Sequence, residues 1–282
     1  MKEYRPANPL ILSLLITIFF LFSSGCASVP YHYGTKHPYG CPPKMHQNET
    51  QFEYGSPNSV IDGIGRLFSI PSKIILWDRR VDSHTVSSNT VERLEKYLDD
   101  NGLVEVKVRI NQYDPLGELR RTFGNKSIGL FWRCTGGLIT WLYYTFLPGR
   151  IIGGDNYNPF SHTINIYSDA PVIALHEGAH AKDFTGRKYK GWYAFGGILP
   201  LVPLYHEYRA TGDVIGYLKT QGGTEEEISA YKILYPAYGT YVGGEISRFY
   251  LDPYDLFPAV LAIPGHIIGR IKAANVENDE IK

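Results

Sequence analysis

The chain has 282 residues, 44% of them hydrophobic, with 28 Lys and Arg balancing 28 Asp and Glu. Neutral charge with no basic block argues against a nucleic-acid partner, which needs a positive surface to displace counterions from phosphates. The apolar content excludes a disordered chain, and aperiodic glycine with three cysteines excludes collagenous and disulfide-scaffold folds.

In chain order, Lys2 and Arg5 precede an uncharged apolar run from Leu10 to Phe22, followed by Ser23-Ser24-Gly25-Cys26. The run is too short for an ordinary membrane span but suits a signal-peptide core. The ending resembles a bacterial lipoprotein signal, although Ser23 stands where such signals usually carry an apolar residue. The resemblance implies removal of residues 1–25, lipid attachment at Cys26 and membrane association through that anchor. Ala27 in place of Asp implies the periplasmic face of the outer membrane. An uncleaved anchor or an ordinary secretory signal is the alternative.

Cys41 and Cys134 are then the remaining thiols, in a compartment where disulfides persist. A bridge between them would close a loop of about 94 residues, worth about 4–5 kcal/mol in the chain-entropy model. Two unpaired buried thiols are the alternative. Residues 26–58, rich in Pro, Gly, Tyr and His, read as a tether. His32, His37, Cys41 and His46 within it match no metal-ligand spacing. Residues 59–270 read as one domain, and 271–282 as a polar tail.

Lys73 to Trp77 is a short apolar strand candidate. Asn89, with Glu92 three residues on, opens a helix that carries Val91, Leu94 and Leu98 on one face and stops at Asn101-Gly102. Leu103 to Ile110 alternates, with Val104, Val106, Val108 and Ile110 on one side, which predicts a half-buried strand. Ile128 to Pro148 is apolar and aromatic but interrupted by Arg133 and Gly136-Gly137, so it predicts a buried helix or helix pair; a membrane-facing surface is the alternative. Trp192 to Leu204 and Leu256 to Ile268 carry the same ambiguity.

Residues His162 to Tyr167 predict a short strand, Ser168 or Asp169 a cap, and Pro171 the first turn of a helix ending near Asp183 before Gly186. Inside that helix lies His176-Glu177-Gly178-Ala179-His180, an HExxH motif. At about 100° per residue the two imidazoles lie about 40° apart and one turn removed, so they can share one metal ion. Glu177 flanks the same face, where it can reach a metal-bound water without ligating the metal.

A catalytic zinc site needs a third protein ligand. The metzincin pattern is excluded, because Asp183 and Gly186 occupy the positions where it requires Gly and His. Downstream, Pro203 opens a second helix with Glu207, Ala210, Val214 and Leu218 in register and Gly222-Gly223 as its stop. Glu207-Tyr208-Arg209-Ala210 resembles the Glu-x-x-Ala segment of gluzincin metallopeptidases. The resemblance covers residues 161–218, about a fifth of the chain, and departs from the family at Thr211 and Lys182. It implies Glu207 as third zinc ligand, with Asp213, Asp183 and His206 as rivals, and an α+β, zincin-like fold. In such a fold a small mixed sheet places an edge strand next to the HExxH helix, and a mainly helical C-terminal part follows.

Zn(2+) held by His176, His180 and Glu207 would lower the pKa of its water towards about 7, with Glu177 as general base. His206, Tyr205, Tyr208 and Tyr193 are candidate oxyanion donors, and the strand Thr163 to Tyr167 is a candidate edge for an extended peptide. The expected function is a zinc-dependent peptidase of the cell envelope acting on a peptide or protein. The alternatives are a non-catalytic envelope lipoprotein whose metal helix is structural or vestigial, and metal-dependent hydrolysis of a non-peptide bond.

Overall fold

The computed structural model describes residues 31–34, 50–249 and 256–280. Cys26 and Cys41 lie outside the described residues. The architecture is α+β and mostly helical, with one small mixed sheet of order β1-β2-β4-β3. Strands β1 (Phe52–Tyr54), β2 (Lys107–Ile110) and β4 (Thr163–Ile166) are parallel, with Val108 beside Phe52 on one side and Ile164 on the other. β3 (Asn156–Asn158) runs antiparallel to β4 and forms one edge.

The first helices are α1 (Ser59–Phe68), α2 (Ile70–Leu76) and α3 (Ser88–Asp100). Folded structure therefore begins before residue 59: β1 lies inside the expected tether, and Asn58 caps α1 through its side chain. The strand expected over Lys73 to Trp77 is instead the second half of α2. Pro71 fits its first turn, where no amide hydrogen is needed, and Trp77 closes it in the left-handed conformation. On α3, Val91, Leu94 and Leu98 are buried as expected, but Asn89 does not cap it; Ser87 stands at the N-cap.

β2 is shorter than the alternation predicts and is buried on both faces, because its polar side is covered. Arg109 pairs with Glu118 of α4 (Pro115–Gly124), and Lys107 with Glu53 of β1 at 2.6 Å. Val104 falls outside the strand and is exposed.

The aromatic segment that follows is not a buried helix. It consists of α5 (Leu130–Trp132), a π-helical turn (Arg133–Gly137) and α6 (Leu138–Phe146). Only one side is packed: a Cβ on Gly136 would lie 2.5 Å from the Phe160 ring, so that ring fits only against glycine. The other side, with Ile139, Leu142, Tyr143 and Phe146, is exposed.

After α7 (Gly149–Ile152), β3 and β4 come α8 (Pro171–Thr185), α9 (Lys190–Gly196), α10 (Val202–Gln221), α11 (Thr224–Ser247) and α12 (Phe257–Glu280). The ambiguous Leu256 to Ile268 stretch and the first part of the expected tail both belong to α12. The main core gathers Leu94 and Tyr97 of α3, Ile164 and Ile166 of β4, Ala179 of α8 and Val214 of α10 around α8. Among the described residues no helix is long and apolar enough to cross a membrane.

Candidate metal centre

α8 begins at Pro171 with Ala170 as its N-cap, and neither expected cap serves it. Ser168 Oγ donates to Asp155 and accepts the Asp82 amide at 2.7 Å. Asp169 accepts from the Ser87 amide at 2.9 Å and from Thr90 Oγ1 at 2.8 Å, so its carboxylate sits at the start of α3 and fastens that helix to α8. The two helices then approach closely. A Cβ on Gly178 would lie 2.8 Å from the Tyr97 ring, so the glycine of the HExxH motif is what lets Tyr97 pack against α8.

His176 and His180 project from one face of α8 with ring centroids 4.6 Å apart, and Glu207 reaches them from α10. His176 Nε2 lies 2.9 Å from Glu207 Oε2, His180 Nε2 lies 3.2 Å from Glu207 Oε1, and the two Nε2 atoms are 3.1 Å apart. Two imidazole nitrogens and a carboxylate thus converge on one point. Donor atoms around a tetrahedral zinc, at about 2.0–2.1 Å from the ion, stand about 3.3 Å from one another, so the three residues fit the ion. Among the described residues the cluster has three members. A structural zinc is normally closed by four protein ligands, whereas three leave a position for water or substrate. His176 Nδ1 is buried without a hydrogen-bond partner among the described residues, so on that ring only Nε2 is engaged.

Without a metal, electrostatics bind a proton in its place. Burial works to lower His180, but Glu207, Glu177 and Asp183 outweigh it and lift His180 to about 9. Burial dominates at His176 and lowers it. Burial works to raise Glu207, yet the charges of His180 and His176 hold it well below the carboxylate range. Glu177 is pushed up to about 8, mainly by burial, even though its carboxylate accepts a hydrogen bond from the Tyr157 amide.

Each rival ligand is engaged elsewhere. Asp213 Oδ1 pairs with Lys182 at 2.8 Å, and its other oxygen accepts from Tyr97. Lys182 and Asp213, one from each of the two helices, are therefore partners of each other. Asp183 pairs with Arg187 at 2.7 Å and accepts from Tyr193 at 2.6 Å. His206 stacks on Tyr193 at 4.2 Å, and burial together with the nearby His180 lowers it to about 4.

A cavity of about 310 Å³ opens beside the cluster, lined by Glu177, His180 and Glu207 and by Tyr157, His206 and Tyr241. Of the candidate oxyanion donors, His206 and Tyr193 line it. Tyr205 lies at the surface beside Arg187, and Tyr208 packs between two core clusters. Tyr241 of α11 is a residue the sequence did not single out, and its hydroxyl hydrogen-bonds Glu207. Asp155, held by the Tyr167 and Ser168 amides, also lines the cavity; burial and the nearby Asp82 raise it to about 6.

The edge strand also needs correction. β4, expected to present its edge, is paired on both sides, by β2 and β3. The edge beside the cavity is β3, whose Asn156 and Tyr157 line it. Cys134 is exposed, with no disulfide partner among the described residues.

Family models, curated proteins and solved structures each give no match to this chain.

Proposed function

We propose that the chain is a zinc-dependent peptidase whose ion is held by His176, His180 and Glu207. The observation that carries this reading is the convergence of two imidazole Nε2 atoms, 3.1 Å apart, on the Glu207 carboxylate, with one ligand atom from each residue within 4.8 Å of the others, on the wall of a cavity. An antiparallel edge strand beside an HExxH helix, in a small mixed sheet, supports a zincin-like reading of the fold. Nitrogen donors with a single carboxylate favour zinc over magnesium or calcium, which prefer all-oxygen sites.

Zinc would supply Lewis-acid charge that makes a water nucleophilic near neutral pH and polarises the scissile carbonyl. Glu177 lies beside the ligands on the cavity wall, with burial raising its proton affinity into the range a general base needs. It takes the proton of the attacking water and delivers it to the leaving amine. The Tyr157 amide of β3 donates to Glu177 and holds its carboxylate at the cavity wall. Tyr241 donates its hydroxyl proton to Glu207 and holds that ligand in place.

The test is Glu177→Gln. The variant should bind zinc as the parent does and lose roughly 100- to 10,000-fold in peptide hydrolysis. Undiminished turnover would remove Glu177 from the mechanism. Envelope localisation and lipid attachment at Cys26 belong to the same proposal, and mass measurement of the mature N-terminus tests them.

A further inference from the structure

α6 carries Ile139, Leu142, Tyr143 and Phe146 at i, i+3, i+4 and i+7, the spacing of a core-facing stripe, yet all four are exposed. A helical stripe recurs on α12, where Val260, Ile263, Ile267 and Ile271 are exposed, and on α1, where Val60, Ile64, Leu67 and Phe68 are. Scattered apolar residues are normal on a soluble surface, but three helices with outward apolar stripes are not.

The helices that carry these stripes are linked. α6 leads through Pro148 into α7, whose Arg150 pairs with Asp62 of α1 at 3.0 Å. α1 leads through Ser69 into α2, and Trp77 at the end of α2 stacks on His266 of α12 at 3.9 Å, with the Arg270 guanidinium 4.5 Å from the centre of the Trp77 ring. The cavity reaches α6: Thr140, next to exposed Ile139, lines it, and Ile198 and Tyr241, which also line it, are exposed.

Charge identifies the occupant. Residues 59–77, 119–154 and helix α12, which build this surface, contain nine Lys and Arg against four acids, Asp62, Glu277, Asp279 and Glu280, in a chain that is otherwise balanced. Asp62 is buried against Arg150, and the other three acids stand at the end of α12 beyond its apolar stripe, where Glu277 pairs with Lys232, so the charges beside the stripes, Arg66 among them, are cations. A second copy of the chain would bring cation against cation. An anionic bilayer offers acyl chains to the stripes and phosphates to the cations.

We propose that this surface rests in the headgroup region of an anionic bilayer and sets the mouth of the His176–His180–Glu207 cavity at the membrane. The substrate is then a polypeptide presented at the bilayer surface, a consequence that rests on the peptidase reading; the docking itself does not.

Cys134, exposed in the π-helical turn that leads into α6, is a native reporter. In the full chain with Cys26→Ala and Cys41→Ser it is the one thiol left to label, and no lipid anchor remains. An environment-sensitive fluorophore there is mixed with phosphatidylcholine vesicles, with or without phosphatidylglycerol, that carry a doxyl quencher on the acyl chain. Docking predicts a blue shift and acyl-depth quenching with anionic vesicles. Phe146→Lys with Ile267→Lys should abolish both, and Arg66→Glu with Arg270→Glu should weaken partitioning at least roughly tenfold. Circular dichroism and zinc content, unchanged in these variants, show that they fold. A label that stays in water on anionic vesicles, or quenching indifferent to the two pairs of substitutions, overturns the proposal. Quenching without hydrolysis of any peptide would leave docking standing and defeat the peptidase reading. Hydrolysis of a soluble peptide by a chain whose label stays in water would do the reverse.

Discussion

Lys182→Met removes the cation from the buried ion pair that joins the HExxH helix α8 to α10. Lys182 is 2% exposed and Asp213 6%. The ammonium is 2.8 Å from Asp213 Oδ1, donates to the His32 carbonyl at 2.8 Å and lies 3.9 Å from the centre of the Tyr31 ring. Methionine fills much the same volume, so packing is largely kept and the loss is electrostatic. Asp213 would be left buried with Tyr97 as its hydrogen-bond donor. Breaking one partner of a buried pair costs about 3–5 kcal/mol, which for a domain of this size lowers Tm by roughly 6–20 °C. Replacing both members, Lys182→Met with Asp213→Leu, should recover most of that loss, because no lone charge remains. Thermal melts of the zinc-loaded single and double variants measure both quantities. Zinc content serves as a second readout, since the pair is structural and Asp213→Asn should keep the ion. A loss below about 1 kcal/mol in the single variant, or a double variant worse than the single, would refute the reasoning.

Gly178→Ala should destabilise the protein by about 1–2 kcal/mol in urea denaturation, because overpacking against the Tyr97 ring outweighs the helix-propensity gain of about 1 kcal/mol. Tyr241→Phe removes the hydroxyl that donates to Glu207 and should weaken zinc binding by roughly 10- to 100-fold in competition with a chelator; parent-like affinity would remove Tyr241 from the metal site. In metal-free protein, Glu177 near 8 and His180 near 9 both bind protons more tightly than they do unfolded, so their contribution is present at about pH 5 and is lost as pH rises to about 9. Glu207, held low, acts oppositely and withdraws stability as pH falls below the ordinary carboxylate range. His206, held near 4, and His176, lowered by burial, likewise withdraw stability as pH falls below the ordinary imidazole range. Melts of metal-free protein should therefore lose stability as pH rises from about 7 to about 9, and a Tm that climbs over that window would contradict the buried carboxylate–imidazole cluster.

The metal helix was legible because its signals are local: Pro171 marks the start, two His four residues apart share a face, and Gly186 stands just past the end. Glu207 was legible for the same reason, on a helix stopped by Gly222. What the sequence could not reveal depends on partners distant in the chain. Asn-Tyr-Asn at β3 has no strand pattern of its own, and its pairing is supplied by β4. Lys107 and Arg109 read as a solvent face until Glu53 and Glu118 cover them. Asp169 looks like a cap for the helix that follows it and instead binds the start of α3. Tyr241 is one of 22 tyrosines, distinguished only by what α11 places beside it. The α6 stripe has the period of a core helix, and periodicity does not say whether protein or something else covers it.

His176, His180 and Glu207 are proposed to hold one metal ion together. Elemental analysis of the purified chain and of Glu207→Gln, after dialysis against the same buffered zinc, tests this. A single equivalent of zinc is expected in the parent and almost none in the variant. Full stoichiometry in Glu207→Gln, or none in the parent, would contradict it.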